Sequence, residues 1–91
     1  MKRFTQSDYP LTEEQVEECF NEEKVEFIVD ITLTDLIQCY SIDDINTQCD
    51  EVIFGENNTN SAYLADIGFA VEGKTDSDTV AISVVAEVID M

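Results

Sequence analysis

Carboxylates are the most numerous side chains in this sequence that could take part in catalysis, metal binding or partner binding. The 91 residues include 21 aspartates and glutamates, four lysines and arginines, and no histidine. Without histidine the chain cannot assemble a Ser–His or Cys–His pair, or move protons at neutral pH in the usual way. Pairs of carboxylates are plentiful, but with so many acids a suitably spaced pair arises by chance. We therefore predict that the protein is not an enzyme and uses no cofactor.

The acids also offer oxygen ligands for a metal ion, but their spacing does not specify a site. Asp76 and Asp78 lie close together, yet the further acids, central glycine and distal glutamate of an EF-hand loop are missing. We interpret both aspartates as turn-forming residues. Cys19, Cys39 and Cys49 lack C-x-x-C spacing and fall within apolar patterns, which indicates reduced thiols in or beside the core. No metal site is predicted.

The densest group of acids lies between Thr12 and Glu26, where seven carboxylates accompany one lysine. Thr12 can cap a helix and Gln15 can complete a capping box, so we predict a helix from about Glu13 to Glu23. Acids recur in this helix at i, i+4 spacing, and each such pair of like charges costs a few tenths of a kcal/mol. Helix stability alone does not select this pattern, which indicates a role in binding.

We predict that these acids contact a partner, together with a second group of acids on a later helix. That helix is predicted from Ile42 to Phe54, with apolar residues at helical spacing on one face and acids on the other. The predicted partner-binding residues of the first segment are Glu13, Glu14, Glu17, Glu18, Glu22, Glu23 and Glu26. Those of the second group are Asp43, Asp44, Asp50 and Glu51.

The elements around these acids follow from the hydrophobic period. Val25 to Thr32 alternates as a strand does, and a hairpin of two strands is predicted from Ala62 to Ile89 with its turn at Gly73 to Asp78. In the first hairpin strand, the odd-numbered residues from Tyr63 to Val71 are expected to share one face. A short second helix is expected to start at Leu33-Thr34-Asp35, with the threonine as its cap.

The order helix, strand, helix, helix, strand, strand predicts one α+β domain over residues 1–91, with residues 1–10 as a loose N-terminal lead-in. We expect two layers, in which helices cover a three-stranded antiparallel sheet. A polar loop is predicted at Glu56 to Ser61. Both a monomer and a homodimer remain open, since a hairpin edge can pair with its twin whereas the high charge opposes self-association.

The net charge of −17 argues against direct binding to nucleic acid or to an anionic membrane, because both need cationic side chains. The N-terminus has no apolar h-region, and the longest apolar runs are far too short to cross a bilayer. These features predict a cytoplasmic protein. The partner that best complements such a surface is a basic protein.

In size, charge and its two acidic groups, the chain resembles the small acidic DNA-mimic inhibitors encoded by phages and plasmids. Several anti-CRISPR proteins and the uracil-DNA glycosylase inhibitors belong to this class. The resemblance rests on the acidic segment Glu13 to Glu26 and on the second group, without a diagnostic motif. It implies a phage-type inhibitor in the host cytoplasm. Such a protein occupies the basic groove of a CRISPR effector, nuclease or restriction enzyme and blocks DNA binding.

Two other interpretations are compatible with the same residues. An immunity-type or other acidic protein-binding module, without nucleic-acid mimicry, depends on a few hot spots that are commonly aromatic, such as Tyr40 or Tyr63. Alternatively, the acids only keep the protein soluble. A nucleic-acid mimic differs from both, because it depends on many acids at once and loses affinity steeply with salt.

Overall fold

The computed structural model describes residues 1–55 and 62–90, so the predicted polar loop at Glu56 to Ser61 lies outside the described residues. The described residues form an α+β arrangement of helices and strands. A single turn of 3-10 helix, Gln6–Asp8, follows the first strand. The other elements are β1 (Lys2–Phe4), α1 (Glu13–Phe20), β2 (Val25–Thr32), α2 (Leu33–Leu36), α3 (Ile42–Phe54), β3 (Ala62–Lys74) and β4 (Thr79–Asp90).

The sheet is mixed and has four strands in the order β1-β2-β4-β3. β1 runs parallel to β2, whereas β4 pairs antiparallel with both β2 and β3. The predicted three-stranded antiparallel sheet is therefore wrong. The additional strand, Lys2–Phe4, is too short to show a period in the sequence. It is held by its pairing with β2, where the ring of Phe4 stacks on that of Phe27 at a centroid distance of 5.8 Å.

A bulge in β3 changes which of its side chains face the helices. The register with β4 shifts between Ala65 and Gly68, where Asp66 has a left-handed φ of 52°. Aspartate tolerates this conformation better than most residues, and the extra residue reverses the alternation of side chains. Leu64 before the bulge and Phe69 after it both pack on the core. The predicted single face from Tyr63 to Val71 is therefore wrong.

The helices cover one face of the sheet. Val16 and Cys19 of α1 and Cys49 and Ile53 of α3 are buried in the same cluster as the inward side chains of the strands. Every second residue of β2 and β4 joins this cluster, as expected for strands with one buried face. The inward strand residues are Val25, Phe27, Val29, Ile31, Val80, Ile82, Val84, Ala86 and Val88.

Local capping signals decide where the helices begin and end. The capping box of α1 is confirmed: Thr12 N donates to Gln15 Oε1 at 2.8 Å, and Thr12 Oγ1 accepts from Gln15 N at 3.2 Å. α1 ends at Phe20, earlier than predicted, and further turns would have placed more carboxylates at the unfavourable end of the helix dipole. α2 is capped by Thr32 rather than Thr34. α3 spans the predicted Ile42–Phe54.

Within residues 1–55 and 62–90, the helices are all too short or too polar to cross a membrane.

Candidate protein-binding surface

α1 holds its carboxylates away from the core. Val16 and Cys19 fix one side of the helix against the strands, while Glu13, Glu14 and Glu17 are exposed. In the described part of the chain, none of these three glutamates has an ion pair. Glu13 and Glu14 lie in the first turn, where the helix dipole stabilises negative charge. The helix therefore exposes carboxylates that have no ion pair within the described residues.

The turn after α1 continues this surface. Glu23 is exposed and Glu22 is half-buried, and within the described residues neither has an ion pair. Both line an open depression of about 280 Å³, which they share with Met1 and Lys24. Five carboxylates of α1 and the turn after it have no ion pair within the described residues, and we call them the α1 acidic surface: Glu13, Glu14, Glu17, Glu22 and Glu23.

Basic side chains already neutralise part of the predicted site. Lys2 Nζ lies 3.1 Å from Glu18 Oε2, and this carboxylate raises the pKa of Lys2. Lys24 Nζ lies 2.5 Å from Asp66 Oδ2 at the β3 bulge, and the hydrogen bond from the lysine lowers the pKa of Asp66. Glu18 is thus partly engaged within the protein and is less available to a partner than its neighbours on α1.

Glu26 does not belong to the α1 acidic surface. Its neighbours Val25 and Phe27 are buried beneath the helices, so the alternation of β2 places Glu26 on the opposite face of the sheet. There its carboxylate lies 2.8 Å from Arg3 Nε and accepts a hydrogen bond from Ser83 Oγ at 3.1 Å. The seven acids predicted as one segment are consequently divided between two faces of the protein.

The second predicted group is spread along α3. Asp43 and Asp44 lie in its first turn, and Asp44 Oδ2 accepts a hydrogen bond from Tyr40 N at 2.8 Å. Glu51 lies two helical turns further on and is exposed, roughly 10 Å along the helix axis. The C-terminal end of α3 is joined to the segment before α1 by a backbone hydrogen bond from Leu11 N to Ile53 O at 2.8 Å. Glu51 is thus nearer to α1 than the two aspartates are.

Asp50 is poorly placed for contact with a partner. Its side chain is half-buried, and burial raises the pKa of its carboxyl to about 6. In the described structure, its Oδ1 atom is buried and has no hydrogen-bond partner. The same holds for Oδ1 of Asn46, one turn earlier on the same helix face. Asp50 is therefore a partly desolvated acid rather than an exposed contact residue.

An apolar surface that we did not predict from the sequence lies at the N-terminal end of α3. A groove of about 150 Å³ opens there between α2, α3 and the sheet. Large apolar residues close in sequence to its lining residues Leu36 and Ile45 are strongly exposed: Ile37, Tyr40 and Ile42. Tyr40, a candidate hot spot in the sequence, is the signal that points to this region. We call this the β3 groove; it is lined by Leu36, Ile45, Phe69, Ala70, Val71 and Ile82.

The thiols and acids of the described residues do not form a metal centre. Groups of three or more potential ligands that could hold an ion are not found among these residues. Cys19 and Cys49 lie in the core, where burial raises their thiol pKa values to about 11 and about 12. A protonated, buried thiol is neither a good nucleophile nor a ready metal ligand.

The sequence matches no family model, and comparisons with curated proteins and with solved structures find no match. Function is therefore inferred from the two surfaces themselves. The first is the α1 acidic surface, which is charged and lies on a helix packed against the core. The second is the β3 groove, which is apolar and open.

Proposed function

We propose that the protein is a phage-type inhibitor that binds the basic nucleic-acid-binding groove of a CRISPR effector, nuclease or restriction enzyme. Its carboxylates take the place of DNA phosphates, so that DNA can no longer bind. The observation that carries the proposal is the α1 acidic surface, five carboxylates on α1 and the turn after it that have no ion pair within the described residues. Three of the four basic residues form ion pairs with Glu18, Glu26 and Asp66, none of which belongs to this surface.

Electrostatics supports this assignment. A protein groove that holds DNA does so mainly through lysine and arginine side chains that replace condensed counterions. A chain with a net charge of −17 is attracted to such a groove over long range, which accelerates association. The capping box and the buried side of α1 hold the helix in place before binding, so less conformational entropy is lost on association.

The site of action in this proposal is the cytoplasm of a bacterial host. Free cysteines at positions 19, 39 and 49 fit a reducing compartment. The protein acts by occupying a groove and not by catalysis, so it requires neither a cofactor nor a metal.

The proposal is tested by capture of partners from a bacterial lysate at low salt and at about 0.5 M salt, where the Debye length falls to a few ångströms. The bait is compared with a variant in which Glu13, Glu14 and Glu17 are changed to glutamine. A matched sheet control carries Asp76→Asn, Glu87→Gln and Asp90→Asn, the same charge change at exposed positions of the β3–β4 hairpin outside both surfaces.

We expect the wild type and the matched control to retain one basic DNA-binding protein at low salt and to release it at high salt. The α1 variant should retain at least about tenfold less, since each exposed charge pair contributes up to roughly 1 kcal/mol. Equal retention by all three baits would show that the α1 acidic surface is not part of the interface.

A second candidate function is an immunity-type module that recognises its partner through aromatic and apolar hot spots. Tyr40 supports it, because its side chain is 90% exposed and Ile37 and Ile42 beside it are also exposed. In that case Tyr40→Ala abolishes capture, the α1 variant does not, and the complex survives high salt.

A further inference from the structure

We propose that the β3 groove receives an extended segment of a basic protein, which adds to the sheet as a strand along β3. The occupant has apolar side chains at every second position and lysine or arginine between them. This inference goes beyond the α1 acidic surface and does not depend on DNA mimicry. It rests on three features of the described residues: an open apolar groove, an unpaired strand edge, and acids around both.

The groove is apolar and incompletely filled. Its floor includes Phe69 and Val71 of β3 and Ile82 of β4, and Leu36 and Ile45 of the helices form its side. Val71 is 71% exposed although its register partner Ile82 is buried. The bulge at Asp66 produces this arrangement, because it turns Phe69 and Val71 towards the helices where the helical layer does not cover them. An apolar side chain placed here would remove this surface from water.

The edge of β3 offers hydrogen bonds beside the groove. β3 is the last strand in the sheet order, and no other described strand pairs with residues 68–74 on its outer side. An exposed strand edge presents unpaired N–H and C=O groups that an extended peptide can bind. In such a peptide alternate side chains point to the same face of the sheet. Every second side chain would therefore enter the β3 groove.

The charges around the groove select a basic occupant. Asp35 adjoins Leu36 in the sequence, and Asp43 and Asp44 lie in the helical turn before Ile45. Glu72 lies in the edge segment of β3 itself, and all four acids are exposed. Lys74 is the one basic residue nearby on β3. A second copy of this chain is a poor occupant, because each copy has a net charge of −17 and no basic segment to offer.

The β3 groove is distinct from the α1 acidic surface. It lies at the N-terminal end of α3, whereas the backbone hydrogen bond from Leu11 to Ile53 joins the C-terminal end of α3 to the start of α1. Variants of one surface therefore leave the other intact, and the two proposals can fail separately.

The test uses synthetic peptides of about eight residues, the length of an ordinary strand, and the full chain labelled with ¹⁵N. The probe peptide alternates lysine with valine. One control peptide alternates lysine with serine and keeps the charge, and a second alternates glutamate with valine and keeps the apolar residues. We expect the lysine–valine peptide to shift the amide resonances of Ile45 and Phe69–Val71 in a saturable way, with at least about tenfold weaker binding of either control peptide.

Two variants locate the site. Val71→Lys places a like charge in the groove and should weaken binding of the lysine–valine peptide by about tenfold or more. Tyr63→Lys makes the same charge change on β3 ahead of the bulge and should leave the affinity unchanged. Equal binding of the lysine–serine peptide, resonance shifts confined to α1, or self-association of the wild type that Val71→Lys abolishes would each overturn the proposal.

Discussion

Replacement of Asp50 by asparagine should stabilise the protein at neutral pH. The folded chain at pH 7 holds a half-buried carboxylate whose Oδ1 atom has no partner among the described residues. Burial raises the pKa of this carboxyl from its ordinary value of 3.8 to about 6. Asparagine keeps the volume of the side chain but has no charge to desolvate. The variant therefore removes an unfavourable contribution of the native state.

The sign and size of the effect follow from proton linkage. Because the pKa is raised on folding, the native state binds more protons than the unfolded chain between pH 3.8 and about 6. The stability that Asp50 contributes is full below this window and is lost as pH rises through about 6. The difference in pKa sets a ceiling of about 3 kcal/mol. Because the side chain is half exposed, solvent screening lowers the expected gain to about 1 kcal/mol.

Urea unfolding at pH 7 and at pH 4 measures this contribution. Asp50→Asn should raise the free energy of unfolding by about 1 kcal/mol at pH 7, and the melting temperature by roughly 4–8 °C. At pH 4 the gain should be small. Glu51→Gln, on the same helix and exposed, controls for the general relief of repulsion between acids. An equal gain from both variants, or a gain that does not depend on pH, would show that Asp50 is not desolvated.

Four further changes test the fold, each by urea unfolding against the wild type. Phe27→Ala, at a fully buried position, should lower the free energy of unfolding by about 3–5 kcal/mol. Phe20→Ala should lower it less, because that ring is half-buried. Equal losses would contradict the different burial of the two rings. Tyr9→Phe removes a hydroxyl that lies 2.9 Å from Ile28 O and should cost about 1 kcal/mol; no loss would contradict this bond. Gly55→Ala introduces a side chain at a φ of 85° and should lower the free energy of unfolding by about 1 kcal/mol or more. A stabilised variant would contradict the positive φ at this residue.

Periodic segments with capping residues could be predicted from the sequence. β2 spans the predicted Val25–Thr32 and α3 the predicted Ile42–Phe54. In both segments a single hydrophobic period runs without interruption, and Ser41 Oγ accepts a hydrogen bond from Asp44 N at 3.3 Å as the N-cap of α3. These signals are local, so a window of neighbouring residues contains all the information required.

Features that depend on tertiary pairing could not be predicted. β1 exists because Lys2–Phe4 finds an edge of β2, and three residues show no period by themselves. The bulge in β3 depends on how Ala65 and Gly68 pair with β4. Without that register, strict alternation places Tyr63 on the same face as Phe69 and Val71, whereas the bulge puts Leu64, not Tyr63, on the core side ahead of Asp66.

The candidate site also combines features that follow from the local sequence with features that depend on tertiary pairing. Exposure of Glu13, Glu14 and Glu17 follows from the helical period, and the structure agrees. The ion pair between Arg3 and Glu26 joins residues far apart in the sequence, and only the sheet brings them together. The β3 groove likewise depends on the register of β3 against β4, which no local pattern reports.

The measurement that tests the central claim most directly is displacement of DNA. A fluorescently labelled duplex is bound to the basic protein that the wild type captures, and fluorescence anisotropy follows release of the duplex as the wild-type protein is added. We expect the wild type and the sheet control to compete with the duplex for one site. The variant with glutamine at positions 13, 14 and 17 should need at least about ten times more protein. If the duplex stays bound at saturating wild-type protein, the α1 acidic surface does not occupy a nucleic-acid groove.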